Sequence, residues 1–169
     1  DFAIQGEFEG EHDGEKVGLQ IWAKGNGQFE AVAFNGGLPG AGWDGDRDVE
    51  RVSGRRDEDG FGVTFQNDEG KALTDGQTVT VIADDAKSVL KRVQRASPTL
   101  GAAAPAGAVV LFDGKGVNRF PKSKVDEKLG ALEQGITSED TFGDCSLHVE
   151  FLLPFMPDAR GQGRGNSGL

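Results

Sequence analysis

Paired turn residues punctuate the first half of this chain at short intervals: Asp13-Gly14, Gly25-Asn26-Gly27, Asp59-Gly60 and Asp75-Gly76. Such pairs favour positive φ, which glycine adopts freely and Asn or Asp tolerate, so each one reverses the chain. The runs between them are apolar and rich in β-branched and aromatic residues. VGLQIWAKG enters Gly25-Asn26-Gly27 and QFEAVAF leaves it, the signature of a β-hairpin. FAIQGEFEGE alternates apolar and polar positions ahead of Asp13-Gly14, and further strands are expected near VERVSGR, FGVTFQ and TVTVIA. AKSVLKRVQR is ambiguous, since Val89, Leu90 and Val93 also fit one face of a helix; it is read here as an outer strand. Residues 1–96 are therefore expected to form a small β domain, a sandwich or a barrel.

SPTLGAAAPAGA, residues 97–108, breaks this pattern. It is small, proline-punctuated and almost uncharged, and it is expected to be a linker. Beyond it, VVLFDGKGVNRF reads as a short apolar strand ending in an Asp-Gly turn. Further on, Leu147, Val149 and Phe151 are expected on one face of a strand, with Ser146, His148 and Glu150 on the other.

Charge narrows the partners. The chain carries a net −10, and residues 1–96 hold 11 basic against 19 acidic side chains while residues 97–169 hold 7 against 9. An acidic surface repels phosphate backbones and anionic lipid, so neither nucleic acid nor a membrane surface is expected as a partner. No stretch has the length of a membrane span. The single cysteine, Cys145, excludes an internal disulfide and a cysteine metal cluster. Asp1 in place of Met fits a removed leader, and an extracytoplasmic location, periplasmic or secreted, is expected.

Several patterns resemble chemistry and fail on inspection. Gly163, Gly165 and Gly168 spell G-x-G-x-x-G, but Pro154 and Pro157 interrupt the preceding strand and only Leu169 follows, so the reading is a glycine-rich loop. Asp44, Asp46 and Asp48 open like a calcium loop, yet Val49 stands where glycine is required and Arg55 where glutamate is. Glu139 and Asp140 are adjacent and would face opposite sides of a strand. His148 and Glu150 are different: two residues apart, they share a strand face and can touch one bound molecule, although a polar outer face alone also accounts for them. Asn166 and Ser167 offer short hydrogen-bonding groups between glycines, where a ligand can approach the backbone.

The second half resembles the start of the 3-keto-disaccharide hydrolase family. The match lies in VVLFDGKGVNRF, then ITSEDTFGDCSLHVEFLLP, then Gly165-Asn166-Ser167-Gly168, in that order over residues 109–169. VGLQIWAKGNGQFEAVAFNGGLPGAGWDG and KRVQRASPTLGAAAPAGAVVLFDG also resemble an upstream β region of some larger members. The family's tryptophan after the opening turn is Phe120 here or is missing, and its later strands are not in this sequence. The resemblance implies a concanavalin A-like jelly roll of which 109–169 is the opening portion, within a longer enzyme. It implies a carbohydrate substrate, a glycoside oxidised to a ketone at C3, cleaved by elimination and hydration. It places Glu150 and His148 as catalytic residues and Asn166 and Ser167 against the sugar, with no metal ligand set and no cofactor specified. The alternative is a non-catalytic, lectin-like carbohydrate-binding module, with residues 1–96 binding a protein partner.

Overall fold

The computed structural model describes residues 1–83 and 86–165. It is all-β, with no α-helix among the described residues and one 3-10 turn at Gly161–Gly163. Two compact units divide it: the described part of Asp1–Arg95 together with 152–165, and Ala96–Phe151.

Eight antiparallel strands in sequence order close the first unit into a barrel. They are β1 (Gly6–His12), β2 (Glu15–Gly25), β3 (Gln28–Asn35), β4 (Arg51–Arg56), β5 (Val63–Gln66), β6 (Gly70–Thr74), β7 (Thr78–Ala83) and β8 (Ala86–Val93). The expected turns are in place. Asp13 and Gly14 both have positive φ between β1 and β2, as do Asn26 and Gly27 between β2 and β3, the geometry that matches strand twist in a tight hairpin. The ambiguous segment is a strand, β8, but not an outer one: it pairs with β7 on one side and β1 on the other, burying Leu90 completely. A closed ladder leaves no edge for a helix or solvent to cover, so no outer strand exists in the barrel.

The interior packs by alternating size. Along one hydrogen-bonded layer, Ala23 lies opposite Phe29, Phe29 opposite Gly54, Gly54 opposite Phe65, and Phe65 opposite Ala72. Each large ring thus fills the space its small neighbours leave, as a narrow barrel requires. Gly54 has no freedom to grow, because a Cβ there would lie 2.4 Å from the Phe65 ring. Phe8, Leu19, Ile21, Val63, Val79 and Leu90 complete this core.

One end of the barrel is stopped by the N-terminal segment and two arginines. Ile4 is buried in the core. Arg92, on β8, lies 5.0 Å from the centre of the Phe8 ring and donates to the carbonyls of Ala3 (2.8 Å), Ile4 (3.1 Å) and Gln5 (3.0 Å), and to that of Gly76. Arg56 lies over Phe29 at 5.6 Å and pairs with the Asp1 carboxylate at 2.9 Å. Within the same unit, Arg160 donates to the Lys24 carbonyl and Arg164 to that of Ala23, while Phe155 meets Phe2 edge-on at 5.2 Å.

A smaller core lies outside the barrel. On β3 the inward residues are Phe29 and Ala31, while Val32 and Phe34 face outward and are nonetheless buried. The glycine-rich excursion after β3 folds back over them, bringing the fully buried Leu38 against Val32 and Phe34, with Trp22, Trp43 and Val49 around the margin. Its Asp-rich end carries local turns, Asp46 N–H donating to the Asp44 carboxylate and Asp48 N–H to that of Asp46.

The second unit is built differently. No residue of 96–151 is buried, and its only ladder joins β9 (Val125–Asp126) to β10 (Ala131–Leu132). The Asp113-Gly114 turn forms, but the expected strand before it is reduced to a single bridge, Phe112 with Asn118. The expected strand through 146–151 does not form either. Nothing among the described residues pairs with it, and Leu147, Val149 and Phe151 are 55%, 46% and 70% exposed. Alternation specifies which faces a strand would present; only a partner makes the strand.

Gly18 on β2 is where the excursion approaches the barrel most closely, since a Cβ there would fall 2.5 Å from Leu38 N and 2.8 Å from Leu38 Cα. Gly18→Val is expected to lift the excursion off Val32 and Phe34, costing about 1–3 kcal/mol as overpacking does. Thermal unfolding should show a lowered midpoint, and the emission of Trp43 and Trp22 should shift to the red. An unchanged midpoint with unchanged emission would contradict this packing.

Candidate functional site

The sequence-selected residues His148 and Glu150 do come together in the second unit, although not on a strand. His148 Nε2 lies 3.1 Å from Glu150 Oε1. The other contact to Glu150 comes from the stretch expected to be a linker, through the backbone N–H of Gly101. Local turns put that amide in place: Leu100 N–H donates to the Ser97 carbonyl (3.1 Å) and Ala102 N–H to that of Thr99 (3.0 Å), with Gly101 at φ 72°. The Ser97 and Thr99 hydroxyls lie 2.9 Å apart. Ser97, Thr99, His148 and Glu150 line a shallow cavity of about 160 Å³, with Leu100, Val149 and Phe151 as its apolar parts. Asn166 and Ser167 lie outside the described residues.

The hydrogen bonds to Glu150 have an electrostatic consequence. Glu150 is held below the ordinary glutamate range, first by the Gly101 amide and second by the His148 hydrogen bond. Donors aimed at a carboxylate favour its ionised form and make it a weaker base. The hydrogen bond between the carboxylate and the His148 ring fixes the orientation of the imidazole, the type of side chain suited to exchanging protons near neutral pH. Glu150 thus holds the His148 ring in place at the wall of the cavity.

Two further acidic groups are structural. Asp113 accepts from the backbone N–H groups of Lys115, Gly116 and Val117, each at 2.9 Å, and its carboxyl is lowered to about 2 by these bonds, Gly116 foremost. Asp140 pairs with Arg119 at 2.9 Å, raising the Arg119 guanidinium above its ordinary value. The motif quoted for the hydrolase resemblance thus contains a rigid Asp-centred turn.

Sequence reasoning missed Gly101, Ser97 and Thr99 as companions of Glu150. A signal was present: Ser-Pro-Thr followed by glycine is turn chemistry as much as linker composition. It also missed a larger groove on the barrel's outer face, where β4 alternates Arg51, Ser53 and Arg55. No group of three or more metal-ligating side chains is found among the described residues, nor is any helix there long and apolar enough to cross a membrane. Comparison with protein-family models, curated proteins and solved structures finds no match to this chain.

Depressed carboxyls make a directional expectation. Each contributes to the order of its turn above its unfolded value and loses that contribution as pH falls through its folded value. Carboxyl NMR titration should place Glu150 below the ordinary glutamate range and Asp113 near 2. His148→Ala should raise the Glu150 midpoint only in part, because the Gly101 amide is the larger cause. An ordinary midpoint in the wild-type protein, or full restoration in His148→Ala, would contradict the assigned contacts.

Proposed function

We propose that this chain belongs to a carbohydrate-active hydrolase that cleaves 3-keto-glycosides by elimination followed by hydration, acting outside the cytoplasm. Two things support the reading. The ordered motifs of residues 109–168 resemble that hydrolase family, and His148 and Glu150 form a hydrogen-bonded pair at 3.1 Å in an accessible cavity. The pair is the observation that carries the chemistry. The reading includes a concanavalin A-like jelly roll begun by residues 109–169, with Asn166 and Ser167 against the sugar.

A ketone at C3 acidifies the C2 proton. In the proposed reaction His148 accepts that proton, and the electron pair left at C2 becomes part of an enolate delocalised onto the C3 oxygen. As the enolate collapses, the C1–O bond breaks and its electrons leave with the departing sugar's oxygen, which takes up the proton that His148 accepted and so regenerates the base. Water then adds across the resulting C1–C2 double bond, OH to C1 and H to C2, restoring the keto sugar. Glu150 orients the imidazole through their hydrogen bond. Proton transfer by a positioned base contributes roughly 10²–10⁴-fold in rate.

The test uses the complete polypeptide with matched 3-keto and parent disaccharides, following release of the leaving sugar. Turnover should require the ketone, since the parent lacks the acidified C2 proton. His148→Gln is expected to lower kcat by roughly 10²-fold or more, and Glu150→Gln by less, while binding of the sugar largely survives. Equal rates on the two sugars would rule out elimination. Sugar binding with no turnover on either would favour the lectin-like alternative, and an unimpaired His148→Gln would remove the pair from the mechanism.

A further inference from the structure

A groove of about 480 Å³ lies on the outer face of the barrel, across β2 to β5. Outward-facing positions build its walls. On β3, Glu30 stands opposite Ser53 of β4 and Gln28 opposite Arg55, and Arg55 in turn stands opposite Thr64 of β5. Lys24 closes one side and Gln66 the other. Gly54 and Phe29 underlie the groove from the inward-facing positions of their strands, and Phe29 is buried.

The charges are arranged rather than scattered. Glu30 is half-buried and ionically tied, with Lys24 Nζ at 2.8 Å and Arg51 Nη1 at 3.9 Å. Its carboxylate is thereby fixed in place as an acceptor with two cations beside it. Arg55 is exposed and forms none of the ion pairs found among the described residues, so its guanidinium fork is free to donate. Gln28 and Gln66 add amide groups that both donate and accept, and Ser53 adds a hydroxyl.

We propose that this face of the barrel is a binding site for an uncharged, hydroxyl-rich saccharide. Each sugar hydroxyl both donates and accepts, and the groove offers both kinds of group: donors on Lys24 and Arg55, an acceptor on Glu30, and groups that do either on Gln28, Ser53, Thr64 and Gln66. An apolar ligand would find no exposed ring to rest on, because Phe29 is buried in the barrel interior. A peptide adding as a strand would find no edge, because every strand of the barrel is paired on both sides. A polyanion would meet the field of a chain with net charge −10. The volume falls within the ordinary range of small-ligand sites. The site uses none of the residues of the proposed hydrolytic pair, and its occupant needs no ketone.

The experiment is an amide NMR titration of the full chain with maltotriose, cellotriose and laminaritriose at millimolar concentration. Trigalacturonate and a glutamate-rich peptide serve as charged comparators. At least one neutral trisaccharide should shift the amides of Lys24, Gln28 to Glu30, Ser53 to Arg55 and Thr64 to Gln66. Arg55→Gln, which breaks no ion pair found among the described residues, should weaken that binding by roughly tenfold with an unchanged thermal midpoint, about the effect of one charged hydrogen bond. Glu30→Gln should weaken it further, and Lys87→Gln on β8 should leave it unchanged. No response to any of the three neutral sugars, shifts confined to other amides, or tighter binding of either charged comparator would overturn the proposal. Because none of these probes carries a C3 ketone, failure here is distinct from failure of the hydrolase reading.

Discussion

The structure depends on how β8 meets β1. Eight strands close only if the last finds the first, and here the ladder between them spans just three pairs: Glu7 with Val93, Phe8 with Arg92, and Glu9 with Lys91. Arg92 sits in the middle of that short seam. Its guanidinium covers the Phe8 ring and binds four carbonyls, three from the N-terminal segment and one from the turn before β7. A guanidinium has five donors and no acceptor, so it satisfies several carbonyls that a narrow barrel end would otherwise leave unpaired. Hydrogen bonds to a charged group are worth roughly 1.5–3 kcal/mol each at best, and together with Ile4 they hold the seam shut.

Packing follows from closure. Once the ring is complete its interior admits only a fixed volume, which the Ala23, Phe29, Gly54, Phe65, Ala72 layer fills by alternation. The outer faces then become available for other work. On β2 and β3 they carry the excursion with Leu38 and Trp43, and on β3, β4 and β5 they carry the polar groove. The second unit has no comparable constraint, and none of its residues is buried. What order it shows comes from turns, chiefly Asp113 and its three backbone donors.

Much of the barrel was legible in the sequence because its information is local. Asp13-Gly14 and Gly25-Asn26-Gly27 fix two hairpins, and alternation in FAIQGEFEGE and TVTVIA fixes which residues point inward. Strand β6 was missed, since GKALT is short and lacks a strong alternation. Closure itself was not legible: whether AKSVLKRVQR lies outermost or joins β1 is a question about residues more than eighty positions apart. The role of Arg92 was hidden for the same reason. In the second unit the reverse error arose, because the alternation of residues 146–151 suggested a strand for which no partner is found. His148 and Glu150 still meet, since an i, i+2 pair needs only backbone of suitable local form, but the third member of their cluster, Gly101, is distant in sequence.

Amide hydrogen exchange on the intact chain tests most directly whether the β1–β8 seam holds the barrel together. In the wild-type protein the ladder amides of β1 and β8 should exchange with the same opening free energy as those of β2 and β3, as parts of one cooperative unit. In Arg92→Leu the amides of β8 should exchange through a separate, lower-energy opening, and global stability should fall by on the order of 3 kcal/mol. If β8 opens independently in the wild-type protein, or if Arg92→Leu leaves its protection unchanged, the seam does not govern the fold.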